Sequence, residues 1–177
     1  MVENTGAPIL RELTDPGASR IQSLLGPDFK VVEFSGSTHT AADAATAIGC
    51  DVTQIAKSLV FVTRKSSQTV LVVASGSNRV DTKAIALIAG ERVRAADAAY
   101  IRDICGFEPG AVSPVGFKVR PLTILDADLQ ACDTIWAAAG STKAVFALTP
   151  MQLSELTGAG FSDIAQRAGG EMDSGST

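Results

Sequence analysis

The sequence predicts one α+β domain built on a largely antiparallel or mixed sheet, and three observations carry that expectation. The chain has 177 residues, 46% hydrophobic and 19% charged. That suits a single core-forming domain rather than a disordered chain. At this length roughly 70% of the unfolded surface can be buried, so neither a disulfide nor a metal is needed to fold. Two adjacent β-rich runs, SLVFVT (58–63) and TVLVVA (69–74), flank the polar stretch 64–68, which predicts an antiparallel hairpin. Helical and strand segments follow one another without strict βα alternation, which argues against a doubly wound parallel sheet.

The elements follow in order. Ala18–Leu25 reads as a first helix with Ile21, Leu24 and Leu25 apolar, and KVVEF (30–34) as a strand. Ser37 to Thr40 offers N-caps for a helix over Ala41–Ile48 that Gly49 ends. After the hairpin, Asp81 caps a helix through Ile88 closed by Gly90. Arg92–Ala95 is a short strand, and Asp97 opens a helix to about Cys105. The segment GFEPGAVSPVG (106–116) holds three glycines and two prolines in eleven residues, so it is an irregular loop. Val119–Leu125, Thr134–Ala138 and Ala144–Leu148 resume strand character. Thr149-Pro150 starts the last helix. The domain is expected over 16–166, with a flexible N-terminus at 1–15 and a disordered tail at 167–177.

Charge narrows the function. The net charge is −4 and the pI about 4.9, which argues against nonspecific nucleic-acid binding by the whole surface. The distribution is uneven: residues 1–56 sum to −4, residues 57–120 to +5 and residues 121–177 to −5. The middle third therefore carries either solvated faces or a local basic face that meets phosphates. Seven Phe, one Trp and one Tyr are too few for a base-stacking platform. No apolar run approaches the ~20 residues of a membrane helix. The start MVENTGAPILRELTDPG lacks a basic region followed by an apolar one. Cys50, Cys105 and Cys132 are odd in number and widely spaced, as in reduced thiols of a cytoplasmic protein.

Several chemistries are excluded. The single histidine, His39, sits in a cap-rich turn and reads as an exposed polar residue. No CxxC or HxxxH offers a zinc site. No Gly-rich phosphate loop precedes a helix, so no nucleotide cofactor is expected. Asp126 and Asp128 lie next to a turn and read as solvated.

What is left is a lysine and a loop. Lys57 leads a strand with apolar residues on both faces, so it is partly desolvated wherever it points. It is either a snorkelling lysine at a strand end or a cation in a cleft that binds an anionic or carbonyl oxygen or titrates low. In Gly110-Ala111-Val112-Ser113-Pro114-Val115-Gly116, Pro114 pushes Ser113 toward an extended conformation, and the glycines permit close approach. Such a loop is either plain surface or a display of free N–H groups for a ligand oxygen.

QIAKSLVF (54–61), VDTKAIALIAG (80–90), GAVSPVG (110–116) and AAGSTKAVFALTPMQL (138–153) occur in the order seen in the YbaK/ProX/EbsC family, which the sequence resembles over about residues 30–166. These are trans-editing aminoacyl-tRNA deacylases related to the insertion domain of bacterial prolyl-tRNA synthetases. The resemblance implies a mixed, barrel-like sheet surrounded by helices. It also implies hydrolysis of the ester between a wrong amino acid and the tRNA 3′ adenosine. On it, Lys57 matches the lysine needed for deacylation, and Gly110 to Pro114 the Gly-x-x-x-Pro loop bordering the substrate. Ser58 takes the variable position beside the lysine, and Gly140 and Ser141 match a turn near the pocket. With Ala111, Val112, Ser113 and Gly116 these residues form the expected substrate site, without metal or cofactor. The expected partners are the aminoacyl-tRNA 3′ end and, as a candidate, prolyl-tRNA synthetase, for a monomer or homodimer away from membranes.

Cysteine-specific members carry an aspartate in the last strand, which Lys143–Phe146 lacks. They also carry an early tyrosine, whereas the only one here is Tyr100. Among the small amino acids Ala, Ser, Thr and Cys, this speaks against Cys. The rival readings are a non-catalytic tRNA- or synthetase-binding module on the same scaffold and hydrolysis of another small ester or amide.

Overall fold

The longest strand, β2 (Ile55–Thr63), organises the sheet. It pairs antiparallel with β3 (Thr69–Ser75) along most of its length, Ala56 opposite Ser75 through Val62 opposite Thr69. The structure, a computed structural model, describes residues 12–36 and 38–167. Within these, eight strands form one mixed sheet in the order β1–β7–β6–β2–β3–β5–β8, with β4 as a second neighbour of β2. The remaining strands are β1 (Val31–Glu33), β4 (Val93–Ala95), β5 (Leu122–Asp126), β6 (Ile135–Ala138), β7 (Ala144–Leu148) and β8 (Phe161–Ser162). The β1–β7, β7–β6, β2–β3 and β2–β4 pairs are antiparallel, while β2–β6, β3–β5 and β5–β8 are parallel. The α+β fold with a mixed sheet is therefore as expected.

The helices begin and end where side-chain chemistry dictates. Asp15 caps α1 (Pro16–Leu25), and Asp81 caps α3 (Thr82–Ala89). Thr40 and Asp43 form a reciprocal capping box on α2 (Ala41–Ile48), as do Thr149 and Gln152 on α5 (Pro150–Thr157). Each box satisfies two amide donors that a helix start leaves unpaired. Gly49, Gly90 and Gly158 close α2, α3 and α5 in the left-handed conformation. Ser37, among the expected caps of α2, lies outside the described residues.

Three expectations need correction. β5 starts at Leu122, not Val119: Lys118 to Arg120 are exposed, and Pro121 has no N–H to offer a ladder. The helix opened by Asp97 is α-helical only over Ala98–Tyr100 (α4) and continues as a π-turn, Ile101–Cys105, ended by Gly106 at φ 86°. Asp126 is fully buried rather than solvated. β5 has neighbours on both sides, β3 and β8, so its last residue lies inside.

Residues at both ends of the described stretch make defined contacts. Glu33 accepts hydrogen bonds from Thr14 N–H, Thr14 Oγ1 and Asp15 N–H at 2.8–2.9 Å, and Leu13 packs on the main core. Arg167 pairs with Asp128 at 2.9 Å and Asp163 at 2.8 Å. Ala165 bridges to Val80. Residues 1–11 and 168–177, within the terminus and tail read from the sequence, lie outside the described residues. No helix among the described residues is long and apolar enough to cross a membrane, and Cys50, Cys105 and Cys132 are unpaired.

Candidate functional site

The pairing of β2 changes along its length, and that change makes a cavity. On the edge away from β3, Ile55 and Ala56 are met by Trp136 and Ala137 of β6. Phe61, Val62 and Thr63 are met by β4, and the Val60 carbonyl accepts from Ala96 N–H at 3.0 Å. Between these partners, Lys57, Ser58 and Leu59 are paired only with β3. The gap opens into a cavity of about 510 Å³.

Alternation along the strand decides what enters from each side. Ile55, Lys57, Leu59 and Phe61 share one face. Ile55 packs there with Ala44 and Ala45 of α2 and with Trp136, so the Lys57 side chain is on the α2 side. Ala56, Ser58 and Val60 share the other, where Ala56 and Val60 pack with Val112, Ala137 and Ala144 in the main core. The missing strand joins the two sides. Lys57 and Ser58 therefore line the same cavity as Gly110, Val112 and Ser141.

The ammonium of Lys57 donates to the carbonyls of Asn78 and Gly76 in the turn after β3. An ammonium has three N–H donors, so one is free of these carbonyls. Burial holds Lys57 below the ordinary lysine range and the nearby Arg79 charge adds to this, while Asp126 opposes them. Asp126 also builds the turn. Its Oδ2 accepts from Ser75 N–H at 3.0 Å and from Asn78 Nδ2 at 2.8 Å, and its Oδ1 accepts from Asp128 N–H at 3.0 Å. Asn78 Nδ2 also donates to Asp128 at 2.7 Å. A buried carboxylate thus sets the turn whose carbonyls hold the lysine.

The loop divides its residues among three places. Gly110, at φ 83°, and Val112 line the Lys57 cavity. Among the described residues no hydrogen bond takes up their N–H groups, whereas Ala111 N–H donates to the Glu108 carbonyl at 3.0 Å. Ala111, Gly140 and Ser141 line a second cleft with Arg20, Arg102 and Lys118. Pro114 and Gly116 line a third, with Phe117, Arg120 and Leu156. Ser113 is wholly buried, and its hydroxyl accepts from Val115 N–H at 3.4 Å.

The 140–142 turn is fixed from outside the cavity. Ser141 Oγ donates to Asp15 Oδ2 at 3.1 Å and accepts from Lys143 N–H. A Cβ on Gly17 would lie 2.1 Å from the Gly140 carbonyl oxygen, and one on Gly140 would lie 2.8 Å from that of Gly17. Both positions need glycine for this close approach.

Sequence reasoning missed part of the site. His39 is exposed, as read, but it also lines the cavity with Thr38 and Thr40. A side chain beside an N-cap gives no sign of what lies across from it. Trp136 lines it too, and the signal available was only its place in the expected strand Thr134–Ala138. Asn78 and Asp126 lie 48 residues apart, and only the β3–β5 pairing brings them together. Among the described residues, no three His, Cys, Asp or Glu side chains cluster to hold a metal ion.

The mixed sheet of this α+β domain opens onto a mostly apolar cavity, with one lysine and, among the described residues, unpaired main-chain donors on its walls, an arrangement that can donate to oxygen acceptors of a small ligand. The aminoacyl-tRNA editing domain model matches residues 35–156, and the chain belongs to that family. It is 35% identical over 127 residues to the uncharacterized protein YwhH of Bacillus subtilis (strain 168), covering 72% of this chain and 80% of that one. It is 29% identical over 96 residues to a proline–tRNA ligase of Limosilactobacillus fermentum, covering 52% of this chain but only 17% of the ligase. Among solved structures, it superposes with a TM-score of 0.83 and 40% identity on a protein described as a proposed trans-editing enzyme for prolyl tRNA synthetase. That match covers 88% of this chain and all of the other.

Proposed function

We propose that this chain is a trans-acting aminoacyl-tRNA deacylase that removes a small wrong amino acid from tRNA, with tRNA-Pro as the expected carrier. The single observation that carries this reading is the shared cavity of Lys57 with the Gly110 and Val112 edge of the Gly-x-x-x-Pro loop. The family and the likeness to a proposed prolyl trans-editing enzyme support it, as does the stretch held in common with a proline–tRNA ligase.

The reaction is ester hydrolysis. Water adds to the acyl carbon, the C–O bond to the terminal ribose breaks, and the ribose oxygen takes a proton. The adjacent 2′-hydroxyl of the substrate helps to move that proton or to orient the water. Lys57 uses its remaining N–H to hold the developing oxyanion or the terminal phosphate, and main-chain N–H groups of the loop donate to the ester oxygen. A pocket lined by Ala96, Val112, Ala138 and Ala144 suits a small, uncharged side chain. One methylene gives a synthetase only ~1–3 kcal/mol of discrimination, which is the physical reason for a separate editing step.

The test is a deacylation panel of Ala-, Ser-, Thr-, Cys- and Pro-tRNA. Wild type is expected to release a small amino acid and spare proline. Loss of one well-placed oxyanion donor lowers kcat by about 10²–10³, so Lys57→Ala should fall by that factor with an unchanged thermal melt. Equal rates for wild type and Lys57→Ala on every member would overturn the reading and favour a non-catalytic module.

A further inference from the structure

The open edge of β2 has a specific polarity. Thr63 N–H donates to the Gln68 carbonyl and Gly76 N–H to the Ile55 carbonyl, so odd-numbered residues of β2 turn their peptide groups toward β3. Arg64 N–H donates to the Arg92 carbonyl, and the Val60 carbonyl accepts from Ala96, so even-numbered residues turn theirs the other way. Ser58 is therefore the residue whose N–H and C=O both point into the gap between β6 and β4. Among the described residues, no strand pairs with it there.

The side chain of Ser58 is not what the cavity meets. Its Oγ is buried and, among the described residues, without a hydrogen-bond partner, yet the residue is partly exposed and lines the cavity. What it offers is main chain: one free donor and one free acceptor, a residue's width apart. In an antiparallel ladder such a residue exchanges both hydrogen bonds with a single facing residue. The chemical unit that satisfies it is an N–Cα–C=O group with a donor on nitrogen and an acceptor on the carbonyl. An aminoacyl ester is that unit. The gap is three residues long, about 10 Å at the rise of a strand, and closed at both ends. It admits one residue and no through-running strand.

Resting on the deacylase reading above, we propose that Ser58 seats the aminoacyl group as a one-residue β-partner. The α-ammonium donates to the Ser58 carbonyl, and the ester carbonyl accepts from Ser58 N–H. That N–H faces the same cavity as the Lys57 side chain and the Gly110 and Val112 edge. Main-chain recognition reads the part common to all aminoacyl esters, and leaves choice among side chains to the apolar wall.

The test uses two backbone variants of the full chain. Replacing Ser58 by its α-hydroxy acid counterpart removes the N–H and keeps the side chain. Replacing Leu59 by its α-hydroxy acid counterpart turns the Ser58 carbonyl into a weaker, ester acceptor. The substrates are alanyl-tRNA and propionyl-tRNA, which lacks the α-amine. A hydrogen bond to a charged group corresponds to roughly ten- to hundredfold. The position-58 variant should lose about that factor in kcat/KM on both substrates, and the position-59 variant only on alanyl-tRNA. Leu59 N–H faces β3, so a merely structural defect would slow both substrates alike. Wild-type kcat/KM in the position-58 variant, or equal slowing of both substrates by the position-59 variant, overturns the inference while the deacylase reading stands. A wild type that turns over no aminoacyl-tRNA overturns the deacylase reading, and the inference with it.

Discussion

At the scale of residues, the position of Lys57 is decided by groups that never touch a ligand. Its ammonium donates to main-chain carbonyls of a turn that Asp126 builds from inside. Every Asp126 contact is a donor aimed at a carboxylate oxygen. Asp126→Asn puts an NH₂ against at least one of those donors, leaving a buried mismatch that costs ~1–3 kcal/mol. It also removes the negative charge that opposes the burial and Arg79 effects on Lys57. The Lys57 pKa should therefore fall further. With Lys57 acting as a donor, activity is lost as pH rises through that pKa, so the alkaline limb of the pH–rate profile moves to lower pH in Asp126→Asn. A urea melt reads the first effect and the profile the second. An alkaline limb that stays in place would mean the carboxylate serves only the fold.

Among the elements, α1 shows how a helix start can brace a site it does not enter. Its cap Asp15 accepts from Ser141 Oγ, and the segment before it is tied to β1 through Glu33. Burial raises the Glu33 carboxyl, but the hydrogen bonds from Asp15 and Thr14 outweigh it and hold it below its ordinary 4.5. A lowered carboxylate pKa adds stability that is complete above the unfolded value and disappears as pH falls through the folded one. Protection of the Thr14 and Asp15 amides from hydrogen exchange, corrected for intrinsic rate, should hold at pH 6 and drop below pH 4.5. Glu33→Gln should show the reduced protection already at pH 6; unchanged protection at pH 3 would show that Glu33 is not the anchor. The sequence exposed the caps of these elements plainly, because Thr40, Asp81 and Thr149 act within three residues of themselves. It misjudged Asp126 and gave no sign of the contacts of Thr14 and Arg167, because the burial of that carboxylate and the pairings of Thr14 with Glu33 and Arg167 with Asp128 depend on partners 19 to 51 residues away.

For the whole molecule, the lysine and the glycine-rich loop were legible because each breaks a local pattern: a cation within an otherwise apolar strand, read from sequence as its leading residue but the third of β2, and a run that no helix or strand accommodates. The gap in β2 was not legible. It exists only because β6 and β4 reach the strand at different ends, which is a fact of topology and not of periodicity. The uneven charge is likewise read from sequence but placed by the fold. Arg79 lies close enough to act on Lys57, and Arg94 precedes the cavity residue Ala95 on β4. Arg102 and Lys118 line the cleft that shares Ser141 and Thr142 with the cavity. Two cations of the 57–120 segment thus line a cleft that adjoins the cavity, on an otherwise acidic chain. On the proposed function, a tRNA 3′ end would bring successive phosphates to these cations. Neutralising about three phosphates of a single strand gives a slope near −2 in log K against log salt, or roughly sixteenfold weaker binding between 50 and 200 mM. Lys118→Ala should weaken binding and flatten that slope without altering the rate at saturating tRNA, because it changes the phosphate contacts and leaves the cavity intact. Fluorescence anisotropy with a labelled acceptor-stem RNA measures both. A salt-independent affinity would leave the basic segment as a solvated face and the tRNA held by other means.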